Sequence, residues 1–217
     1  MQVDLNGKVA LVTGGAQGIG RAIAQQLFDN GAKIGIIDVD QDNAEEVAKN
    51  LNARVWCEDV SDTSAMEQVV NQAEQEWGHL DILVNNAGIN SGGDRVPIHE
   101  LKPEIWDRIV EVDLRGVFAA SRAAIPAILR SGGGRIVNIS SVAGLVPLRL
   151  QSAFVAAKAG VINLTKSMAL EVGPKGILVN AVAPGSTLTK GTRMLFYSDE
   201  GVFNENAKSL LSHIPLG

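Results

Sequence analysis

The sequence predicts an α/β fold: a doubly wound parallel sheet between two layers of helices (three layers, αβα), forming one domain over residues 1–217. Three observations predict it. Short apolar runs rich in β-branched residues alternate with longer stretches of helical periodicity. The first run ends in clustered glycines, TGGAQGIG, at residues 13–20. The second ends in an acid, Asp38, eighteen residues after Gly20. Repeated strand–helix units take right-handed crossovers, which cover both faces of a parallel sheet.

Each element follows from its own residues. KVALVT (8–13) is a compact apolar strand, buried on both faces. GIGRAIAQQLFDNG (18–31) is a helix, with Ile19, Ile23, Ala24 and Leu27 on one face and Gly31 at its end. KIGIIDVD (33–40) is the second strand and DNAEEVAKNL (42–51) the second helix. ARVWCEDV (53–60) is the third strand, followed by a helix over 61–78 that Ser61 or Asp62 caps. LDILVNNAG (80–88) is the fourth strand, ending in a polar turn. A long helix is predicted from about Leu114 to Leu129, and GRIVNISS (134–141) is the fifth strand. An alanine-rich helix covers 154–173, and GILVNAVAPG (176–185) is the sixth strand, stopped by Pro-Gly. Beyond Gly185 the pattern reads as a loop and a short helix, a substrate loop over about 186–213.

The bulk properties exclude several classes of function. A net charge of −5 with no basic run argues against nucleic acid or an anionic membrane as partner. No apolar run approaches the ~20 residues of a membrane span. The N-terminus lacks a signal-peptide pattern, so a cytoplasmic location is expected. The single cysteine, Cys57, cannot form an internal disulfide and is expected as a small buried residue at a strand end. His79, His99 and His213 fit no metal-ligand spacing, and no metal is expected.

The glycine turn points to a nucleotide. Gly14, Gly18 and Gly20 stand between a strand and a helix, where backbone N–H groups approach a pyrophosphate at the positive end of the helix dipole. A tight turn without ligand is the plain alternative for glycines alone. Asp38 adds weight, because a carboxylate about 20 residues on hydrogen-bonds the adenosine ribose in such Rossmann folds. The same charge repels a 2′-phosphate, and Gln17 in the turn supplies no cation to offset it, so NAD is expected rather than NADP.

With these residues in order, the chain resembles the short-chain dehydrogenases/reductases of the classical type. TGGAQGIG is similar to that family's cofactor turn, and NNAG (85–88) to its fourth-strand motif. The resemblance implies that Asn86, Ala87 and Gly88 line the cofactor and that Ile19 lies under the nicotinamide. It implies further that Asp59 and Val60 contact adenine, and that Pro184, Gly185, Thr187 and Thr189 hold the carboxamide. The implied reaction is hydride transfer between nicotinamide and a secondary alcohol or ketone. Family members work as homo-oligomers, tetramers or dimers. They carry a seventh strand, whereas this sequence ends at HIPLG, where that segment would begin.

The resemblance also implies a catalytic set, and the chain departs from it. Ser141 occupies the serine position that bonds the substrate oxygen, with Ser140 as the alternative. Lys158 occupies the lysine position, which also holds the nicotinamide ribose. One helical turn earlier, where the family has a tyrosine acid/base, stands Phe154. The helix asparagine is replaced by Asp113, which can pair with Lys158 or bond local backbone. Losing a positioned proton donor typically costs about 10²–10⁴ in rate. The expected function is therefore an NAD-dependent oxidoreductase with an atypical proton relay. The alternatives are a non-catalytic NAD-binding sensor or regulatory subunit, and a partner in a hetero-oligomer. Asn90, Ser91, Asp94, Arg95, Leu145, Arg149, Arg193 and the segment 187–203 would line the substrate pocket. Their polarity favours a polyol, sugar or hydroxy acid.

Overall fold

A computed structural model describes residues 3–90, 95–189, 192–197, 201–205 and 207 of the chain. It falls into two compact units, Met1–Gly185 and Ser186–Gly217. The first is built on six strands: β1 (Val9–Thr13), β2 (Lys33–Ile37), β3 (Arg54–Trp56), β4 (Ile82–Asn85), β5 (Gly134–Ile139) and β6 (Ile177–Val182). They form one parallel sheet in the order β3-β2-β1-β4-β5-β6. This is the doubly wound order, and the strand order reverses between β1 and β4, where such sheets leave a crevice at their carboxyl ends.

Alternation along the strands divides the core into two layers. Val9 and Leu11 of β1 point to one face and Ala10 and Val12 to the other, all fully buried. The first face packs on α3 (Thr63–Trp77), α5 (Gly116–Arg130) and the end of α6 (Ser152–Val172), through Met66, Ala124, Ile128 and Met168. The second packs on α1 (Gly18–Asp29) and α2 (Gln41–Leu51), through Ala24, Ala44, Val47 and Leu51. Small alanines along α5 and α6 let these helices lie close to the sheet. Asp62, not Ser61, caps α3, accepting from the amides of Ser64 and Ala65.

The amino-terminal edge of the sheet is closed by an acid. Asp81, buried just before β4, accepts from the Val9 amide (2.9 Å), pairs with Lys8 (2.8 Å) and lies 3.2 Å from His79 Nε2. His79 therefore sits at the end of the sheet away from the carboxyl-end crevice. Asp81→Ala leaves the buried Val9 amide unpaired and is expected to cost about 1–3 kcal/mol, read by urea unfolding.

Three expectations change. Residue Cys57 is exposed, because β3 ends at Trp56 and the chain has already turned outward; its thiol reaches only the Val39 carbonyl at 3.7 Å. A further helix, α4 (Pro103–Val110), precedes the long one, with Pro103 in its first turn. The long helix starts at Gly116, and residues Glu111–Arg115 before it form a turn of π-helix. Among the described residues no helix is long and apolar enough to cross a membrane. In the second unit α7 (Arg193–Phe196) is a single turn, and the rings of Tyr197 and Phe203 stack with centroids 4.7 Å apart.

Candidate functional site

The carboxyl ends of the strands gather the residues that the sequence singled out in the first unit. The glycine turn begins at the last residue of β1. Gly14 (φ +66°) and Gly18 (φ +55°) adopt left-handed backbone that other residues resist. Gly20 is fixed by space: a Cβ there would stand 2.0 Å from the Gly14 carbonyl oxygen and 2.4 Å from Asn86 Nδ2.

The turn is tied to both neighbouring strands. Asn86 Nδ2 donates to the carbonyls of Thr13 (3.1 Å) and Gly14 (2.9 Å). The amides of Asn86 and Ala87 both donate to Thr13 Oγ1 at 3.0 Å. Asp38, beyond β2, accepts from the Ala16 amide through Oδ2 (2.9 Å) and from the Asp40 amide through Oδ1 (3.0 Å). Asp38 thus clasps the loop. At the start of α1, Gln17 makes no side-chain cap and no acid occupies the first turn. The helix N-terminus is left for an anion. A cradle with no room for a Cβ, beside an uncapped helix, fits a dinucleotide pyrophosphate.

Asp59 and Val60 are held less simply. Val60 is buried, and Asp59 accepts from the amide and hydroxyl of Ser61 (2.9 and 2.7 Å) and from Arg108 of α4 (2.7 Å). Burial acts to raise the Asp59 carboxyl, but the Ser61 bonds and the Arg108 guanidinium outweigh it and hold the carboxyl below its ordinary value. Sequence reading missed Arg108, whose role depends on α4. It also missed Thr13, the hinge of the turn, although that residue opens the TGG motif.

The second half of the site lies between β5, α6 and the π turn. The Ser140 hydroxyl donates to the Lys158 carbonyl (2.8 Å), so it is committed to the helix backbone. Ser141 Oγ accepts from the Ala143 amide (3.1 Å), and the side chain is half-buried. The amide of Val142 donates to the Pro184 carbonyl (3.0 Å), joining the Pro-Gly turn after β6 to the serine segment. Lys158 Nζ stands 3.5 Å from the Ile139 carbonyl and 5.6 Å from the centroid of the Phe154 ring. The ring itself packs with Ile109, Ala153 and Ala157 in an apolar cluster that includes Trp106 and Leu114.

Asp113 faces Lys158. The ammonium is 3.0 Å from Oδ2, with the side chains 7% and 0% exposed. Among the described residues Oδ2 has no partner other than this ammonium, whereas Oδ1 accepts from the Ile89 amide at 2.7 Å. Burial pushes the Asp113 carboxyl above its ordinary value; Lys158 and the Ile89 amide act against the shift without cancelling it. A Cβ at Gly88 would stand 3.1 Å from Lys158 Nζ and 3.2 Å from Asp113 Oδ2, so the glycine leaves the pair its headroom. The π turn sets Asp113 in this place; single π turns within α-helices are frequent at functional sites.

Thr187 and Thr189 belong to the second unit, where Thr192 Oγ1 donates to the Thr187 carbonyl (2.7 Å) and accepts from the Thr189 amide (2.8 Å). There too, Arg193 lies over the Tyr197 ring at 5.1 Å. Arg95, Leu145 and Arg149 are exposed, while Ser91, Asp94 and His213 lie outside the described residues. Among the described residues no group of three or more His, Cys, Asp or Glu is placed to hold a metal.

Comparison with known proteins places this geometry. A family model described as short chain dehydrogenase matches residues 8–199. The chain is 41% identical over 196 residues to 2-(S)-hydroxypropyl-CoM dehydrogenase 3 of Xanthobacter autotrophicus, covering 88% of this chain and 76% of the relative. It is 39% identical over 217 residues to the 3-oxoacyl-(acyl-carrier-protein) reductase FabG of Escherichia coli, covering 99% and 85%. Among solved structures, an NAD+-bound xylitol dehydrogenase superposes with a TM-score of 0.81 at 31% identity, over 84% of this chain and 72% of that one.

Proposed function

The chain belongs to the short chain dehydrogenase family of oxidoreductases, and on that premise we propose that it transfers hydride between NAD and a secondary alcohol or its ketone. The observation that carries the reading is the glycine turn closed by Asn86 and clasped by Asp38 at the switch point of the sheet. Bound nicotinamide supplies the hydride acceptor, chemistry that no side chain here offers. The chain's own residues do the rest. The Gly14–Gly20 turn and the amides of α1 hold the pyrophosphate. Asp38 holds the adenosine ribose, Asp59 and Val60 flank adenine, and Asn86, Ala87, Gly88 and Ile19 line the nicotinamide half. Pro184 and Gly185 receive the carboxamide.

Ser141 orients the substrate oxygen, a role open to it because Ser140 is spent on the helix. Lys158 holds the nicotinamide ribose and sets a positive charge beside the reacting oxygen. Residue Phe154 shapes the pocket and moves no proton, so the proton travels by a route other than position 154. A polyol, sugar or hydroxy acid is the favoured substrate class, and a homo-oligomer the favoured assembly.

The test is NADH formation by the natural chain with xylitol, glucose and 3-hydroxybutyrate, alongside direct NADH and NADPH titration. Turnover of one of these supports the reading. NADH binding without turnover of any would turn the protein into a nucleotide-binding module. The preference for NAD has its own test. Asp38→Asn keeps an acceptor for the Ala16 amide and removes the charge that repels a 2′-phosphate. It is expected to shift the NADH/NADPH affinity ratio about tenfold or more toward NADPH, since like-charge juxtaposition costs several kcal/mol. An unchanged ratio would remove Asp38 as the discriminator.

A further inference from the structure

We propose that Asp113 is the terminal acceptor of the proton released from the substrate hydroxyl, which reaches it through Lys158. The inference rests on the hydride-transfer reading above and deepens it by naming the proton's route. Four observations carry it. The ring at position 154 has no proton to exchange, and it stands 5.6 Å from Lys158 Nζ. The Asp113 side chain is wholly buried, and one of its oxygens, Oδ2, faces Lys158 Nζ at 3.0 Å with no other partner among the described residues. Its other oxygen is fixed by the Ile89 amide at 2.7 Å, so Oδ2 is presented in one direction. Lastly, the pair lies just under the exposed Gly88, where even one added methyl would crowd both groups.

The chemistry then balances. Lysine begins as an ammonium and has no lone pair for a proton. Passing one N–H proton to Asp113 Oδ2 makes it a neutral amine and leaves a carboxylic acid. That amine takes the alcohol's O–H proton, directly or across one water. The O–H electron pair becomes the second C–O bond, and the C–H pair leaves the carbon as hydride to the nicotinamide. Lysine ends as it began, the carboxylate has gained one proton, and it returns that proton to solvent past Gly88. In the reductive direction each transfer reverses.

Burial favours this cycle, because it raises the proton affinity of the carboxyl. The charge that faces Asp113 is that of Lys158 on α6. The loop after β4 presents the Ile89 amide and Gly88. Neighbours Glu111 and Arg115 of the π turn pair with each other at 3.3 Å on the surface.

The experiment compares the natural chain, Asp113→Asn and the double variant Asp113→Asn/Phe154→Tyr, using the same three alcohols with NAD. Asp113→Asn is expected to lower kcat about 10²–10⁴-fold with NADH affinity unchanged, and to erase the ionisation that limits kcat at low pH. The added tyrosine is expected to return much of the rate with a different pH profile. Infrared titration of the cofactor-free natural chain needs no variant to fold. It should show a buried carboxyl stretch titrating above the ordinary carboxylate range of about 4. Asp113→Asn with the natural kcat and pH profile overturns the route alone, as does the absence of that carboxyl stretch. NADH binding without turnover in any variant overturns the hydride-transfer reading and the route together.

Discussion

Lys158→Met is expected to cost about 3–5 kcal/mol of stability and to abolish measurable turnover. The cost follows from what the substitution leaves behind. Asp113 is wholly buried, and among the described residues Lys158, 3.0 Å from its Oδ2, supplies the opposing charge that acts on it. Breaking a buried pair by removing one partner strands an uncompensated charge, which is the expensive case. Methionine keeps most of the stem's volume, so lost packing contributes little.

The pH dependence separates this account from a packing defect. The folded Asp113 carboxyl binds its proton more tightly than the unfolded one, whose value is about 3.9. Stability from this group is therefore fully present below that value and is lost as pH rises through the raised folded value. Removing Lys158 removes a term that opposes the shift, so the folded value rises further and the loss deepens. The deficit of Lys158→Met relative to the natural chain should be small in acid and grow as pH climbs from about 4. Urea unfolding at a series of pH values measures it. A deficit constant across pH would mean that packing, and not the stranded carboxylate, sets the cost.

The parts of this site that were legible in the sequence are those whose physics is local. Strands buried on both faces read as apolar runs, and the glycines of TGGAQGIG announce backbone that a Cβ would block. Asp38 was legible from spacing alone, because strand and helix lengths fix where the second strand ends. What stayed hidden depends on tertiary contacts. The π turn at Glu111–Arg115 has no distinctive composition; it arises where α4 and α5 join against α6. Without that turn the proximity of Asp113 to Lys158 was a guess from residue type. Helix α4 itself had a readable signal, Pro103 followed by Ile105, Trp106 and Ile109 at helical spacing, and so did the candidate role of Arg108 on it. Residue Cys57 misled because free cysteine is usually buried, while β3 is only three residues long and ends before it. The approach of Asp113 Oδ2 to Lys158 Nζ, on which the proton route stands, has no sequence signature at all.

Gly20→Ala is expected to weaken NADH binding by at least about 10²-fold and to destabilise the fold by about 1–3 kcal/mol. The new methyl would sit 2.0 Å from the Gly14 carbonyl oxygen and 2.4 Å from Asn86 Nδ2. The first of these is backbone and cannot rotate away, so the turn itself must move. Moving it strains Gly14, whose carbonyl is held by Asn86 at 2.9 Å, and through Asn86 the joint between β1 and β4. The affinity falls more than the stability because the pyrophosphate is bound by the positions of the amides, whereas the core layers lie deeper in the sheet. A control fixes the scale. Gly173 (φ −54°) has nothing within 4 Å of a would-be Cβ, so Gly173→Ala should be neutral or slightly stabilising, with NADH affinity unchanged. Fluorescence titration with NADH and thermal unfolding of the two variants side by side measure both quantities. If Gly20→Ala bound NADH as tightly as Gly173→Ala, the glycine turn would be a structural corner, and the dinucleotide would have to be held elsewhere along the carboxyl edge of the sheet.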